Sequence, residues 1–248
     1  MSDKEKDLYR FAIRIANKNI GIEAIYGRTL VDSEQYITDQ PADFVVQSSP
    51  EEILTDGAAY RKVNSRGRVF KGQIESMLFL RKIADRMIDF DTILMHGAVI
   101  AVNGEAYMFT APSGTGKTTH IRRWLESLPE AYVVNGDKPL IIVGETPVEC
   151  GTPWCGKERM GTNAIVPLKA IVMMKRGEEN IMRRLSFIEA FPRLMEQTHR
   201  PEDTEKARKN VRLLSMLGKR VELWQFEFDN FKDDAFDVAY RALTNRVE

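Results

Sequence analysis

The sequence has few cysteines, no net charge and no long apolar run. Its 248 residues include two cysteines, too few for a disulfide framework. Lys plus Arg and Asp plus Glu number 36 each, which argues against a general attraction to nucleic acid or anionic membranes. No apolar stretch approaches the roughly 20 residues of a membrane span, and the charged start, residues 1–7, leads into no signal-peptide-like segment. We therefore expect a soluble, cytoplasmic globular protein.

The composition is that of a folded domain. Hydrophobic residues make up 43% and charged residues 29%, so the chain can bury a full core and is too apolar to be disordered. Tyr9–Ile15 and Ile20–Tyr26 predict an opening hairpin or meander, and helical spacing of apolar residues predicts a helix over 72–88. We place a boundary between a small N-terminal α/β portion, 1–90, and a second portion, 91–248. Mixed strands and helices predict an α/β fold with a mixed sheet flanked by helices.

The middle of the chain has a strand–turn–strand–loop–helix pattern. His96–Val102 and Glu105–Thr110 have the composition of strands, and Asn103-Gly104 between them is a strong hairpin turn. The loop 111–119 has the sequence APSGTGKTT, and a helical pattern follows it. A glycine-rich loop between a strand and a helix is the context of a Walker A phosphate-binding loop, although the strict pattern has glycine where Ala111 stands. The alternative is a chance glycine-rich turn.

The residue types in this loop suit a nucleoside triphosphate. Gly114 and Gly116 let the backbone curl so that N–H groups converge at the positive end of a helix. Lys117 would contact the β- and γ-phosphates of ATP, and the hydroxyl of Thr118 would bind Mg²⁺. The predicted nucleotide-binding residues are Ser113, Gly114, Thr115, Gly116, Lys117, Thr118 and Thr119.

Two further residues are candidates for catalysis. Asp137 follows the apolar run Tyr132–Val134 and could orient or deprotonate an acceptor, or provide a second ligand for the metal. Its alternative role is that of a turn aspartate. His96 begins the strand that leads to the loop, a place where a histidine is more often structural.

The block from His96-Gly97 through Ser113–Thr118 to Asn135-Gly136-Asp137 resembles the core of HPr kinase/phosphorylase. The stretch Ser113–Thr119 is equally similar to the loop of the ATP-dependent phosphoenolpyruvate carboxykinases. The resemblance covers about residues 94–145. It implies that Asp137 is the catalytic base toward a serine hydroxyl and that His96 lies near Asp137 and the γ-phosphate.

The glycine-rich segment 150–163 lies downstream of these residues. Its basic side chains Lys157 and Arg159 could contact the γ-phosphate or the acceptor if the loop closes. The alternative is an ordinary connection with a packed Trp154. Cys150 and Cys155 are too few for a zinc site and are expected to be structural or merely reduced.

Three smaller expectations concern the rest of the chain. Ser186 and Glu189 form a capping-box pattern, and a charged helix is expected over 202–217 with Gly218 as its C-cap. His120, in the first turn after the glycine-rich loop, is expected in solvent, with contact to a nucleotide base as the alternative.

The sequence as a whole favours an ATP- and Mg²⁺-dependent kinase acting on a hydroxyl, with a serine of a small protein or peptide as the acceptor. A small-molecule hydroxyl is also open, as is a non-catalytic module whose 150–163 loop is ordered by nucleotide. Oligomerisation remains open.

Overall fold

The computed structural model describes residues 8–63, 70–229 and 232–244. The charged start, on which the argument against a signal peptide rests, lies outside the described residues. Among the described residues, no helix combines the length and the apolar character needed to cross a membrane. The chain divides into two compact units, 1–86 and 87–248.

The first unit is a four-stranded sheet with helices. Its strands occur in the order β3-β1-β2-β4, and β1 pairs antiparallel with β2 as the predicted opening hairpin. The predicted helix over 72–88 is confirmed as α3. The elements are β1 (Tyr9–Ile15), β2 (Lys18–Ala24), α1 (Arg28–Asp32), β3 (Ile37–Thr38), β4 (Phe44–Gln47), α2 (Pro50–Val63) and α3 (Lys71–Met87).

The second unit is built on a nine-stranded mixed sheet. Its elements are β5 (Thr92–Leu94), β6 (Ala98–Val102), β7 (Glu105–Thr110), α4 (Lys117–Ser127), β8 (Tyr132–Asn135), β9 (Leu140–Ile142), β10 (Val148–Cys150), β11 (Ile165–Arg176), β12 (Ile181–Arg184), α5 (Phe187–Gln197), α6 (Thr204–Arg220), β13 (Glu222–Phe228) and α7 (Ala235–Thr244). The main strand order is β5-β9-β10-β11-β7-β6-β8, and β13 pairs with both β11 and β12.

Strand β11 is the centre of this sheet. It runs parallel to both β7 and β13, so the carboxyl ends of these three strands meet at one edge. The predicted hairpin forms from β6 and β7, with Asn103 and Gly104 both at positive φ, as a two-residue turn of this kind requires. The loop after β7 therefore lies at the same edge as the ends of β11 and β13.

Helices cover both faces of the sheet, which explains why its central strands are apolar on both sides. One face packs against α5 and α6 through residues such as Leu194 and Leu214. The other packs against α4 and α7, with Trp124 and Ala239 buried there. The predicted mixed sheet flanked by helices is confirmed.

Three local predictions are wrong. The strand expected from His96 begins at Ala98, because the backbone N–H of His96 bonds the carbonyl of Gln197 instead of a sheet neighbour. Gly218 lies inside α6 and is not its C-cap. A Cβ at that position would come 2.4 Å from Cδ2 of Phe187, so glycine serves close packing there.

His120, the third correction, is buried instead of solvent-exposed. Its Nε2 accepts a hydrogen bond from Nε1 of Trp124 at 3.0 Å, and its ring contacts those of Phe109 and Phe226. Burial lowers the pKa of His120 to about 3, and the positive charge of Arg123 adds to this effect. The imidazole is therefore a neutral part of the core.

Candidate active site

The glycine-rich loop joins the end of β7 to the start of α4. Gly114 has a φ of 81° and Gly116 a φ of 122°, conformations that side-chain-bearing residues rarely adopt. Gly116 is also the N-cap of α4, and its carbonyl accepts the N–H of His120 at 3.0 Å. The first N–H groups of α4 have no partners within the helix, so this end of the helix is suited to an anion.

Lys117 is buried at the base of this loop. Its Nζ donates to the carbonyl oxygen of Ala111 at 2.6 Å and to that of Pro112 at 3.3 Å. Burial lowers the pKa of Lys117, the negative charge of Asp137 opposes that effect, and Lys138 reinforces it. The ammonium group is thus held by neutral carbonyl acceptors.

Asp137 lies in a tight turn after β8 that is organised by the buried side chain of Asn135. The Oδ1 atom of Asn135 accepts the backbone N–H of Asp137 at 2.8 Å and that of Lys138 at 2.7 Å. Its Nδ2 donates to the carbonyl and the hydroxyl of Thr152. The carbonyl of Asp137 accepts the N–H of Gly97 at 3.0 Å. Hydrogen bonds that involve Asn135, Thr152 and Gly97 therefore fix the backbone at Asp137.

The carboxylate of Asp137 has two cationic or N–H neighbours. Its Oδ1 lies 3.2 Å from Nε2 of His96 and 3.0 Å from Nζ of Lys138. Burial raises the pKa of Asp137, but the hydrogen bond from His96 and the charge and hydrogen bond of Lys138 outweigh it, so the pKa lies below its ordinary value. Asp137 is ionised at neutral pH and is a weak base.

His96 is held at both ring nitrogens. Nδ1 lies 2.8 Å from Oε1 of Gln197, at the end of α5, while Nε2 faces Asp137. If the amide N–H of Gln197 faces Nδ1, the neutral ring carries its hydrogen on Nε2 and donates it to Asp137. If the amide oxygen faces Nδ1, the ring must carry hydrogens on both nitrogens to donate to Gln197 and to Asp137. The carbonyl of His96 also accepts the hydroxyl of Thr110, the last residue before the glycine-rich loop, at 2.7 Å.

The remaining loop residues of the candidate site are more exposed. Thr118 and Thr115 are half-buried, whereas Ser113, Gly114 and Thr119 are exposed. Thr115 donates its hydroxyl to the carbonyl of Pro112 at 2.8 Å, which closes the curl of the loop.

The segment between β10 and β11 is packed at its base and exposed at its tip. Trp154 is buried, and its carbonyl accepts the N–H of Lys138 at 3.1 Å. A Cβ at Gly136 would come 2.6 Å from the carbonyl oxygen of Cys155, so this segment rests directly on the turn that carries Asp137. Lys157 and Arg159 are exposed at the tip, and Glu158 there is ion-paired with Arg122 of α4. Cys150 and Cys155 are free thiols.

Three residues of the site, Arg176, Lys138 and Gln197, were not predicted from the sequence. Arg176, at the end of β11, donates from Nε to the carbonyl of Thr115 at 3.2 Å and from Nη2 to that of Gly114 at 3.1 Å. Lys138 and Gln197 contact Asp137 and His96 as described above. The parallel pairing of β11 with β7 is what brings Arg176 to the loop, and the sequence gives no direct sign of that pairing.

The oxygen donors present are those that Mg²⁺ prefers. Thr118 offers a hydroxyl at the start of α4, and Asp137 offers an ionised carboxylate. Among the described residues no cluster of three or more His, Cys, Asp or Glu side chains forms a metal cage. A site with one or two protein ligands matches Mg²⁺, which keeps its waters and also binds substrate phosphates.

Comparisons with known proteins give little beyond this. No known family model matches the chain, and no curated protein sequence does so. Among solved structures, the chain is similar to the Hpr(Ser) kinase/phosphatase from Coxiella burnetii. The TM-score is 0.39 and the identity 7%, over 61% of this chain and 91% of that one. At this TM-score and identity the match carries no argument of its own.

Proposed function

We propose that the chain is an ATP- and Mg²⁺-dependent kinase of the HPr-kinase-like type that transfers the γ-phosphoryl group to a hydroxyl. One observation carries the proposal: His96 joins Asp137 to the glycine-rich loop, because its Nε2 lies 3.2 Å from Oδ1 of Asp137 and its carbonyl accepts the hydroxyl of Thr110, the last residue before the loop. The negative charge of Asp137 also acts on Lys117, the cation of that loop. A phosphate-binding cation and an ionised carboxylate within electrostatic reach of each other are the two groups that phosphoryl transfer needs from a protein.

Each residue has a definite part in this reaction. Lys117 and the N–H groups at the start of α4 bind the β- and γ-phosphates, and Thr118 and Asp137 provide oxygen ligands for Mg²⁺. When bound, Mg²⁺ neutralises charge on the transferring phosphates. In the transfer, the acceptor oxygen bonds to the γ-phosphorus as the bond to the bridging oxygen breaks, and ADP leaves.

The low pKa of Asp137 restricts what it does in this step. A weak base does not remove the proton from a free hydroxyl in advance, so Asp137 accepts a hydrogen bond from the acceptor and orients its oxygen. It takes up the proton as the new bond forms, which fits a loose transition state. His96 positions Asp137 through the contact between its Nε2 and Oδ1.

The acceptor class comes from the sequence resemblance. The order of His96-Gly97, the glycine-rich loop and Asp137 resembles that of HPr kinases, which phosphorylate serine on a small protein. We therefore propose a serine of a small protein or peptide, bound near the exposed tip that carries Lys157 and Arg159. A small-molecule hydroxyl is the alternative acceptor.

One observation favours a second candidate function. Asp137 already contacts both Lys138 and His96, so its carboxylate can be explained as part of a structural ion-pair network. A module that binds nucleotide without transferring phosphate would need no more than this. Nucleotide would then order the exposed tip near Lys157 for a partner.

Radiolabel transfer from ATP to serine peptides, small proteins and small alcohols separates these functions. Asp137→Asn should abolish transfer and leave nucleotide binding intact, while the matched control Glu126→Gln, on the exposed face of α4, should retain both. Equal transfer by wild type and Asp137→Asn would remove Asp137 from the mechanism. Nucleotide binding without transfer to any acceptor would favour the non-catalytic module.

A further inference from the structure

A cleft of the larger unit lies away from the glycine-rich loop. It has a volume of about 450 Å³, within the range of small-molecule sites. Its walls include the early part of β11 at Lys169 and the start of β13 at Glu222, whereas the glycine-rich loop and Arg176 lie at the opposite, carboxyl ends of the parallel strands. The two sites are therefore at opposite edges of the sheet.

The cleft has an apolar floor. Leu168 and Leu223 are buried beneath it, and the half-buried ring of Phe187 lies directly on the backbone of α6 at Gly218. The absence of a side chain at position 218 is what permits this contact. A ligand in the cleft would meet carbon surface on this side.

The rim of the cleft is strongly basic. It carries Lys169, Arg184, Lys219 and Arg220, against one acidic residue, Glu222. Two of the cations are compensated: Lys169 pairs with Glu105 at 2.8 Å, outside the lining, and Arg184 pairs with Glu222 at 2.6 Å.

The other two cations have no acidic partner in the part of the chain that the structure describes. Arg220 donates to the neutral carbonyl of Gly144 at 2.6 Å, and the side chain of Lys219 makes no hydrogen bond or ion pair with any described residue. Both stand at the carboxyl end of α6, where the helix dipole favours cations. The dipole accounts for their position on the helix, but not for their convergence with Lys169 and Arg184 on one cavity.

We propose that this cleft binds a small organic anion. Its phosphate or carboxylate groups would lie against Lys219 and Arg220, and its carbon skeleton against Phe187 and the leucines. The inference is independent of the kinase proposal, because it uses none of the residues of the glycine-rich loop.

Amide chemical shifts of the full chain, measured by ¹H–¹⁵N NMR, test this with two probes. Citrate presents carboxylates and glycerol 2-phosphate presents a phosphate on a carbon body. We expect saturable shifts at Leu185, Gly218 and Val221 with at least one probe, and the responding probe identifies the anionic group. Any separate response at the glycine-rich loop should disappear in Lys117→Ala and leave the cleft response unchanged.

The decisive variant is Lys219→Ser combined with Arg220→Gln. It should weaken probe binding by about tenfold or more, as expected for loss of charge-assisted hydrogen bonds. Arg212→Ser removes one positive charge from the exposed face of the same helix, away from the cleft, and should leave binding unchanged. Lys219→Arg should retain probe binding, because it changes the side chain at this position but keeps its positive charge. No saturable shift at the cleft with either probe, or equal weakening by Arg212→Ser, would overturn the proposal.

Discussion

The imidazole of His96 holds the carboxylate of Asp137: its Nε2 lies 3.2 Å from Oδ1. The two residues lie in different connections between strands: His96 is in the connection between β5 and β6, and Asp137 is in the turn after β8. Gln197 contacts Nδ1 on the other side of the ring. The carbonyl of His96 accepts a hydrogen bond from the hydroxyl of Thr110, the last residue before the glycine-rich loop. A substitution at His96 should therefore change the position and pKa of Asp137 more than it changes the affinity for nucleotide.

His96→Ala should move the acid limb of the pH–rate profile to higher pH. The hydrogen bond from His96 is one of the groups that keep the pKa of Asp137 low, so removing it raises that pKa. The ionised form of Asp137 then predominates only at higher pH. We expect the rate at neutral pH to fall by about tenfold to hundredfold, with ATP binding little changed, the size typical for loss of a residue that orients a functional side chain.

Gln197→Leu provides the control for this experiment, because it frees the ring without removing the contact to Asp137. Its acid limb should stay near that of the wild type. An acid limb in His96→Ala that coincides with the wild-type limb would show that His96 does not tune Asp137.

Lys117→Ala should abolish stabilisation by Mg-ATP. A ligand at about 100 times its dissociation constant stabilises a protein by about 2.7 kcal/mol, which for this chain length raises Tm by several degrees. Differential scanning fluorimetry measures the shift. Lys157→Ala, at the exposed tip, should keep the full shift; a shift of wild-type size in Lys117→Ala would place the nucleotide elsewhere.

Arg176→Gln should weaken nucleotide binding by about threefold to tenfold, the size expected for loss of two exposed hydrogen bonds. Arg176 donates to the carbonyls of Gly114 and Thr115 and so holds the curl of the loop. Arg176→Lys should recover only part of the affinity, since a single ammonium group cannot reproduce the planar fork. Titration calorimetry with Mg-ATP measures both, with Arg212→Gln as the charge-matched control. Unchanged affinity in Arg176→Gln would contradict a role in shaping the loop.

His120 should make the fold sensitive to acid. Its pKa is about 3 in the folded chain and about 6.5 when unfolded, so between these values the unfolded state binds a proton that the folded state does not. The stabilisation from the neutral ring is complete above pH 6.5 and falls by up to about 1.4 kcal/mol per pH unit below it.

Urea unfolding from pH 7.5 to pH 4 should show this loss in the wild type and a smaller one in His120→Gln, which keeps an acceptor for Trp124. Identical pH dependence in the two proteins would mean that His120 is not protected from protonation in the folded state.

Local signals in the sequence account for much of the fold. The Asn103-Gly104 turn and the capping box of Ser186 and Glu189 depend on neighbours in sequence, and both appear as predicted. The wrong predictions depend on partners distant in sequence. Gly218 was expected to end α6 because glycine ends many helices, whereas here the ring of Phe187 requires it.

The candidate site shows the same division. The curl of the glycine-rich loop is encoded within a few residues, so its place between β7 and α4 could be predicted. The contacts of Arg176 and Gln197 depend on which strands pair and where α5 ends, and no short pattern specifies either. The burial of His120 could not be predicted for the same reason. It arises from the packing of α4 against the sheet, and a polar residue in a helical pattern does not show which side of the helix will be covered.

The close contact between Gly136 and the carbonyl of Cys155 has a consequence for sequence divergence. No side chain can be accommodated at position 136 while the backbone of Cys155 stays in place, so homologues that share this packing should retain glycine there. The solvent-facing position of Lys157 is under no such restraint and can diversify with the molecules it meets. Invariance at one end of the segment and variability at the other is therefore the evolutionary signature that this architecture should leave.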